Sequence, residues 1–321
     1  MLQDCNTECA GIFSSATLTY SAVKPSLFSK PFVILSRFPL IFASQVLFNE
    51  IGYDSPATPG FVDAIGRYKR SRIMMAKQKG AKRLIVDSFD FQPGRILASK
   101  YEVISKLGEG WEGEVFMVRE RATGIERAAK FFFPQRNLNN KTLLFYAKKL
   151  HKLRHCPILI QYLTQETITF RGTSITFLIS EYVEGELLSE YLERQPGKRI
   201  DAFHALHLLH ALASGIESIH RMREYHGDLH TDNIIVQRYG LGYDLKLLDM
   251  FHWGAPSARN IRVDMCDLIR IFYDAIGGQK HYAKQAPEIK ALCCGLKRSL
   301  ILKKFRTAVK LREYLETMKW G

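Results

Sequence analysis

The run Gly108-Glu109-Gly110-Trp111-Glu112-Gly113-Glu114-Val115 constrains this chain more than any other stretch, because of what flanks it. Tyr101–Leu107 alternates in the manner of a strand, and Glu114–Arg119 and Glu126–Phe132 read as two further strands parted by a turn at Ala122-Thr123-Gly124. A G-x-G-x-x-G cluster that joins a strand to a helix belongs to a dinucleotide-binding fold. Here strand-like sequence follows the glycines instead. Such a loop lets backbone approach a phosphate where side chains would block it. Glycines also mark plain turns, so the flanking strands carry the reading.

Further along, Lys141–Leu153 has helical spacing, and Ile158–Leu163 and Ile175–Tyr182 are strand-like. From Leu187 the chain turns mainly helical. Asp201–Met222 is a long helix with apolar residues at Phe203, Leu206, Leu209, Ala213, Ile216 and Ile219. A hairpin of Ile234–Val236 with Leu245–Leu248 interrupts the helices, which resume over Asp264–Ile276, Pro287–Lys297 and Ala308–Met318. The expected fold is α+β and bilobal, with a small antiparallel sheet lobe over 98–182 and a mainly helical lobe over 183–321. Residues 74–97 read as a linker or lead-in. Residues 1–73 are rich in Ser, Pro and Phe, with breakers at Pro25, Pro31, Pro39, Pro56 and Pro59, so poor order is expected there. Met74 or Met75 is an alternative translation start.

The chain has 46 Lys+Arg against 32 Asp+Glu, a net charge of +14. Residues 1–73 contain seven Lys/Arg and five Asp/Glu, so +2 lies there and +12 on the remainder. That surface suits acidic partners, but no base-reading motif accompanies it, so no specific nucleic acid is expected. Between Lys297 and Lys319 stand eight Lys/Arg and two Glu. A solvated helical face is the first reading, and contact with an acidic partner or a membrane surface is the alternative. The six cysteines (Cys5, Cys9, Cys156, Cys266, Cys293 and Cys294) lack paired C-x-x-C spacing and are too scattered for a disulfide framework. Reduced thiols and a cytoplasmic location are expected, with a secreted effector as the alternative. The most apolar run, Pro31–Phe48, is interrupted by Arg37 and Pro39 and falls short of the roughly 20 residues that span a bilayer.

Chemistry concentrates in three places. Ala128-Ala129-Lys130 ends a strand next to the glycines. His226-Gly227-Asp228-Leu229-His230-Thr231-Asp232-Asn233 fits H-x-D-x-x-x-x-N, follows a long helix and precedes an apolar strand. Lys246-Leu247-Leu248-Asp249-Met250-Phe251 places an acid at the end of the next strand, and Asp249 gains meaning beside Asn233.

Together these motifs resemble the eukaryotic-type (Hanks-type) protein kinase superfamily over roughly residues 98–318. The resemblance implies ATP and Mg²⁺ (or Mn²⁺) as cofactors and a protein substrate. It implies that Gly108, Gly110 and Gly113 cover the phosphates, Lys130 bridges the α- and β-phosphates, and Asp228 orients the proton of the attacking hydroxyl. Asn233 and Asp249 would hold the metal. Val115 would lie over the base and Ile235 beneath it, with room for adenine at Ala128. Glu181-Tyr182-Val183-Glu184-Gly185 resembles the hinge, so backbone groups of Glu181 and Val183 would bond adenine, with Ser180 as gatekeeper. Asp264-Met265-Cys266-Asp267-Leu268 resembles the start of the central helix, whose leading aspartate steadies the catalytic loop.

Four departures stand out. No Asp or Glu occurs between Arg127 and Gln165, so the family's helix glutamate, due near Tyr146 or Ala147, is missing; Lys130 must find another carboxylate, Asp249 being the candidate. Gly227 replaces the arginine of the family's H-R-D. His230 replaces the lysine that follows the catalytic aspartate, and is counted with Asp228 and Lys130 among the catalytic residues. Only 14 residues separate Asp249 from Asp264. The loop H-G-D-L-H-x-x-N is also similar to those of aminoglycoside and choline phosphotransferases. The leading expectation is an atypical, bacterial-type Ser/Thr protein kinase, with Tyr as a further acceptor. A small-molecule phosphotransferase and a nucleotide-binding pseudokinase are the alternatives.

Overall fold

The computed structural model describes residues 85–252 and 254–319. The expectations for residues 1–73 and for a start at Met74 or Met75 lie outside them. Six strands, β1 (Ile96–Leu97), β2 (Tyr101–Glu109), β3 (Gly113–Glu120), β4 (Glu126–Phe132), β5 (Tyr162–Phe170) and β6 (Thr173–Glu181), pair antiparallel in the order β1-β2-β3-β4-β6-β5. Strand alternation sorts β4 cleanly. Ala129 and Phe131 join an aromatic cluster on one face, while Phe132 joins the core that α1 (Lys141–Lys152) shares with the lower lobe. In the cluster Phe131 stacks on Phe177 with ring centroids 4.3 Å apart, and Phe89 lies 5.3 Å from Phe131. Such pairs add to burial through favourable ring geometry.

The cluster draws in residues upstream of 98. Val86, Phe89 and Phe91 are buried in it. Glu114, fully buried, accepts hydrogen bonds from Ser88 Oγ at 2.8 Å, Phe89 N at 3.0 Å and Lys106 Nζ at 2.7 Å. A buried carboxylate needs such partners, and here they tie the lead-in to the sheet.

The lower lobe is mainly helical, beginning with β7 (Glu186–Leu187), α2 (Leu188–Glu193) and α3 (Ala202–Arg221). The hairpin of β8 (Ile234–Tyr239) and β9 (Gly242–Leu247) follows, then α4 (Ala258–Ala275) and four shorter helices: α5 (Gly278–Tyr282), α6 (Pro287–Cys293), α7 (Arg298–Lys304) and α8 (Ala308–Thr317). α3 starts at Asp201, whose side chain accepts His204 N at 3.0 Å. Its buried seam runs through Ala205, Leu208, Leu209, Leu212, Ala213, Ile216 and Ile219, and Phe203 is 46% exposed, not a core residue. No helix among the described residues is long and apolar enough to cross a membrane.

Three expected elements moved. The strand expected over Ile158–Leu163 begins at Tyr162 and continues to Phe170, with every second residue exposed. Its open face carries Gln165, Thr167 and Thr169, so the strand shows no continuous apolar run. Leu159 is buried instead beside the second sheet, bridging to Leu247. The helix expected at Asp264 begins at Ala258, because Ser257 and Asn260 form a reciprocal capping box. Asp264 therefore sits inside α4 and not at its start. The helix expected over Pro287–Lys297 stops at Cys293, where Cys294 (φ 51) and Gly295 (φ 57) turn left-handed.

Candidate active site

Strand register assembles the upper wall. Gly108 pairs with Val115, Val115 with Lys130, and Ala128 with Ser180. The three glycines of the loop differ in their demands. A Cβ on Gly113 would lie 1.8 Å from the backbone oxygen of Phe131, so the adjoining strand itself excludes a side chain there. Nothing lies within 4 Å of a Cβ on Gly108 or Gly110. The hairpin is held by Gly110 N to Gly113 O and Phe133 N to Glu112 O, both at 2.9 Å.

The lower wall is a loop held from behind. Asp264, fully buried, accepts His226 N at 2.8 Å, Gly227 N at 2.9 Å and the His220 ring at 2.9 Å. Gly227 has φ 85, a left-handed conformation that favours glycine and accounts locally for the residue at this place. Burial pushes the His226 ring below its ordinary value. Its Nε2 donates to Leu248 O at 2.8 Å while Nδ1 accepts from Asp228 N at 3.3 Å, the pattern of a neutral ring. Leu248 N to Asn233 O at 2.9 Å and Phe251 N to His226 O at 3.0 Å fasten residues 248–251 against the same loop.

On this frame Asn233 Nδ2 donates to Asp228 O at 2.9 Å and to Asp228 Oδ2 at 3.3 Å. The Asp228 carboxylate is 48% exposed and faces solvent. His230 lies 3.7 Å from Asp228 and 3.5 Å from Asp232. Burial disfavours its charge, but the two carboxylates outweigh burial and push it up to about 9. Asn233 Nδ2 also approaches His230 Nε2 at 2.9 Å, a contact suited to a neutral ring. Nδ1 in turn accepts Asp232 N at 3.2 Å, so the carboxylates favour a proton on the ring while N–H donors face both of its nitrogens.

Across the cleft Lys130 Nζ reaches Asp249 Oδ1 at 2.5 Å. Burial opposes both charges, but the pairing prevails: Asp249 is held below the ordinary carboxylate value and Lys130 is raised. Asp249 has φ 43, a left-handed conformation uncommon for a side chain other than glycine, though Asp tolerates it better than most. Two residues that sequence reasoning did not select complete the cluster. Glu112 Oε2 lies 3.6 Å from Lys130 Nζ, and the Tyr146 hydroxyl donates to Asp249 Oδ1 at 3.2 Å. Tyr146 occupies the place expected of the helix glutamate; its ring stands 4.7 Å from the Lys130 ammonium. Asp249 was the candidate carboxylate for Lys130, and the geometry adds Glu112 to it.

At the hinge, Glu181 closes β6 and its N–H donates to Gln161 O at 3.0 Å; its carboxylate accepts Gln161 N at 3.1 Å and Lys246 Nζ at 2.7 Å. Val183 is half-buried in the connection to β7. Gly185 follows at φ 134, where a Cβ would lie 2.7 Å from Ile235 Cγ2. Ile235 is thereby placed on β8 against the hinge, half-buried.

The donor set suits a hard divalent cation, because carboxylate and amide oxygens are the ligands such ions take. Both bonds to Asp249 fall on Oδ1, so Oδ2 is the atom open to a cation, and the Asn233 amide bonds through nitrogen, so Oδ1 is its counterpart. At Gly108 and Gly110 the hairpin has open space where a side chain would stand, which leaves backbone there approachable by phosphate.

Residues 101–263 match the protein kinase domain family. Among curated proteins, a putative cyclin-dependent kinase F-2 of Oryza sativa subsp. japonica is 30% identical over 153 residues, covering 47% of this chain and 46% of that protein. A tyrosine-protein kinase SPK-1 of Girardia tigrina is 29% identical over 46% of this chain and 28% of its own length. A serine/threonine-protein kinase Nek1 of Toxoplasma gondii is 30% identical over 60% of this chain and 14% of its own length. The chain thus spans less than half the length of these relatives. Among solved structures, the PknI kinase domain of Mycobacterium tuberculosis superposes with a TM-score of 0.52 at 15% identity, covering 72% of this chain and 98% of that one.

Proposed function

Because this chain belongs to the protein kinase domain family, we propose that it transfers the γ-phosphate of Mg-ATP to Ser or Thr hydroxyls of proteins, its own among them. The observation that carries the reading is the Lys130–Asp249 pair at 2.5 Å, which joins the strand beside the glycine hairpin to the segment fastened on the Asp228–Asn233 loop. When bound, the nucleotide supplies the phosphoryl group and the metal neutralises charge that builds on it. Lys130 would present its ammonium to the phosphates, and Asn233 and Asp249 would hold the cation. Asp228, exposed and braced by Asn233, aligns the incoming hydroxyl and takes its proton. His230 lies 3.7 Å from Asp228, whose carboxylate favours a proton on its ring. Little covalent work falls to the protein, so positioning and electrostatics dominate.

A second reading, transfer to a small-molecule hydroxyl, is favoured by the start of α4 at Ala258, which leaves a short stretch after Asp249 as a platform for a peptide. Incubation of the purified chain with radiolabelled ATP decides between them, alone, with dephosphorylated casein, and with aminoglycoside and choline acceptors. Label on protein, lost in Lys130→Met and Asp228→Asn, supports the first reading. Label on a small acceptor alone supports the second. No transfer to any acceptor with intact nucleotide binding rejects both.

A further inference from the structure

The family's helix glutamate has no counterpart in α1, yet Lys130 is not left to a single partner. We propose that the work of that carboxylate is divided between Glu112, which supplies the charge, and Tyr146, which supplies the fixed geometry, both acting as positioning residues for Lys130. The inference rests on the phosphotransfer reading for its consequence, but not for the contacts themselves.

Glu112 is delivered from the glycine hairpin. Its own carbonyl accepts Phe133 N at 2.9 Å, so the side chain leaves a backbone pinned to the end of β4. The carboxylate then stands 3.6 Å from Lys130 Nζ with a quarter of the side chain exposed. Tyr146 comes from the opposite direction, on a helix face packed into the core, and is 5% exposed. Its hydroxyl bonds the same oxygen, Asp249 Oδ1, that Lys130 bonds, and its ring lies under the ammonium at 4.7 Å. Phe132 adds a second ring at 5.2 Å. A tyrosine that served packing alone would not need its hydroxyl on the aspartate or its face toward the lysine. A desolvated ammonium gains from aromatic faces, and burial otherwise opposes the charges of Lys130 and Glu112 alike.

The division has a mechanical meaning. A helix glutamate ties lysine position to the helix alone, whereas Glu112 ties it to the hairpin that covers the phosphates. Lys130 is therefore aligned only when hairpin and helix are both in place.

Two measurements on the full chain test this. The first needs no activity: double-mutant cycles on thermal unfolding pair Glu112→Gln with Lys130→Met, and Tyr146→Leu with Lys130→Met. Coupled residues give non-additive shifts, and the double variants are expected to melt higher than the sum of the single changes predicts. Additive shifts in both cycles overturn the inference. The second uses Mg-ATP with dephosphorylated casein. Glu112→Gln is expected to lower kcat about tenfold, with KM for ATP changed less than about threefold, as loss of a transition-state contact requires. Adding Tyr146→Glu to that variant returns a helix carboxylate and is expected to recover most of the loss. A folded double variant with no recovery also overturns the inference. If the wild type transfers nothing, the proposed function fails, and the melting cycles alone decide the pairing.

Discussion

Asp264 takes the backbone N–H of His226 at 2.8 Å from inside a helix, with no solvent contact of its own. It also holds Gly227 N and the His220 ring. Three donors converge on one carboxylate, two of them backbone N–H groups of buried residues that would lose this acceptor without it. Removing them together costs the desolvation of several groups at once. Asp264→Ala is expected to destabilise by roughly 3–5 kcal/mol, and Asp264→Asn by less, because the amide still accepts at one oxygen. Chemical denaturation measures both, and an Asp264→Ala loss below about 1 kcal/mol would contradict the assignment.

Lys149 makes a pH-dependent contribution of known sign. It is buried on α1, donates to Phe251 O at 3.0 Å and lies 4.1 Å from the Tyr225 ring centre. Burial lowers it from 10.5 to about 8, against Glu224 and Asp264, which raise it. Below pH 8 both folded and unfolded chains hold the proton, so the full penalty of a buried charge is present. Between pH 8 and 10.5 the folded chain releases its proton first, and stability rises with pH. Wild type is expected to gain on the order of 3 kcal/mol relative to Lys149→Met across that window. Parallel pH dependences for the two proteins would refute it.

Gly185 couples the hinge to the floor of the cleft. At φ 134 a side chain is strained, and a Cβ would press on Ile235 Cγ2 at 2.7 Å and Val236 O at 3.0 Å. Gly185→Ala is expected to cost roughly 1–3 kcal/mol. It should also weaken binding of a fluorescent ADP analogue several-fold, since Ile235 must move. Equal affinity in wild type and variant would detach Ile235 from the base.

His230 gives a kinetic signature. Its folded value is raised to about 9, so the charged ring is present below that pH and lost as pH rises through it. Transfer activity is expected to decline near pH 9 in wild type. In His230→Lys, whose ammonium titrates near 10.4, the decline should shift upward by about one unit. An unchanged profile in His230→Lys would assign the decline to another group.

Contiguous pieces of the fold were legible in the sequence. Glycines between two strands, Lys130 at the end of the next strand, and the run from His226 to Asn233 each carry their meaning locally. β4 fell on the expected residues because a turn at Ala122-Thr123-Gly124 precedes it and an apolar run through Phe132 closes it. β5 was misplaced because its open face is polar, and α4 because its first turn is capped by Ser257 and Asn260 instead of the commoner Ser and Glu. The position of Tyr146 beside Lys130 followed from the resemblance, but the contact of its hydroxyl with Asp249 and the approach of Glu112 could not be read in advance. Glu112 lies in no motif with Lys130, and only the pairing of β3 with β4 brings the two together. Glu114 was hidden for the same reason, since a charged residue in a strand reads as solvated until its three partners are seen.

Between Asp249 and Asp264 the chain offers a single hydroxyl, that of Ser257. It already accepts Asn260 N at 3.4 Å and donates to Asn260 Oδ1 at 2.5 Å, closing the first turn of the helix that carries Asp264. A phosphate attached there would lose the O–H given to Asn260 Oδ1 but could still accept N–H groups of the first turn, so it would change the cap of that helix directly. Switching by modification of this segment would therefore act through the stability of α4 and the loop it anchors, and not by recruiting a docking arginine, a place that Gly227 fills with hydrogen alone.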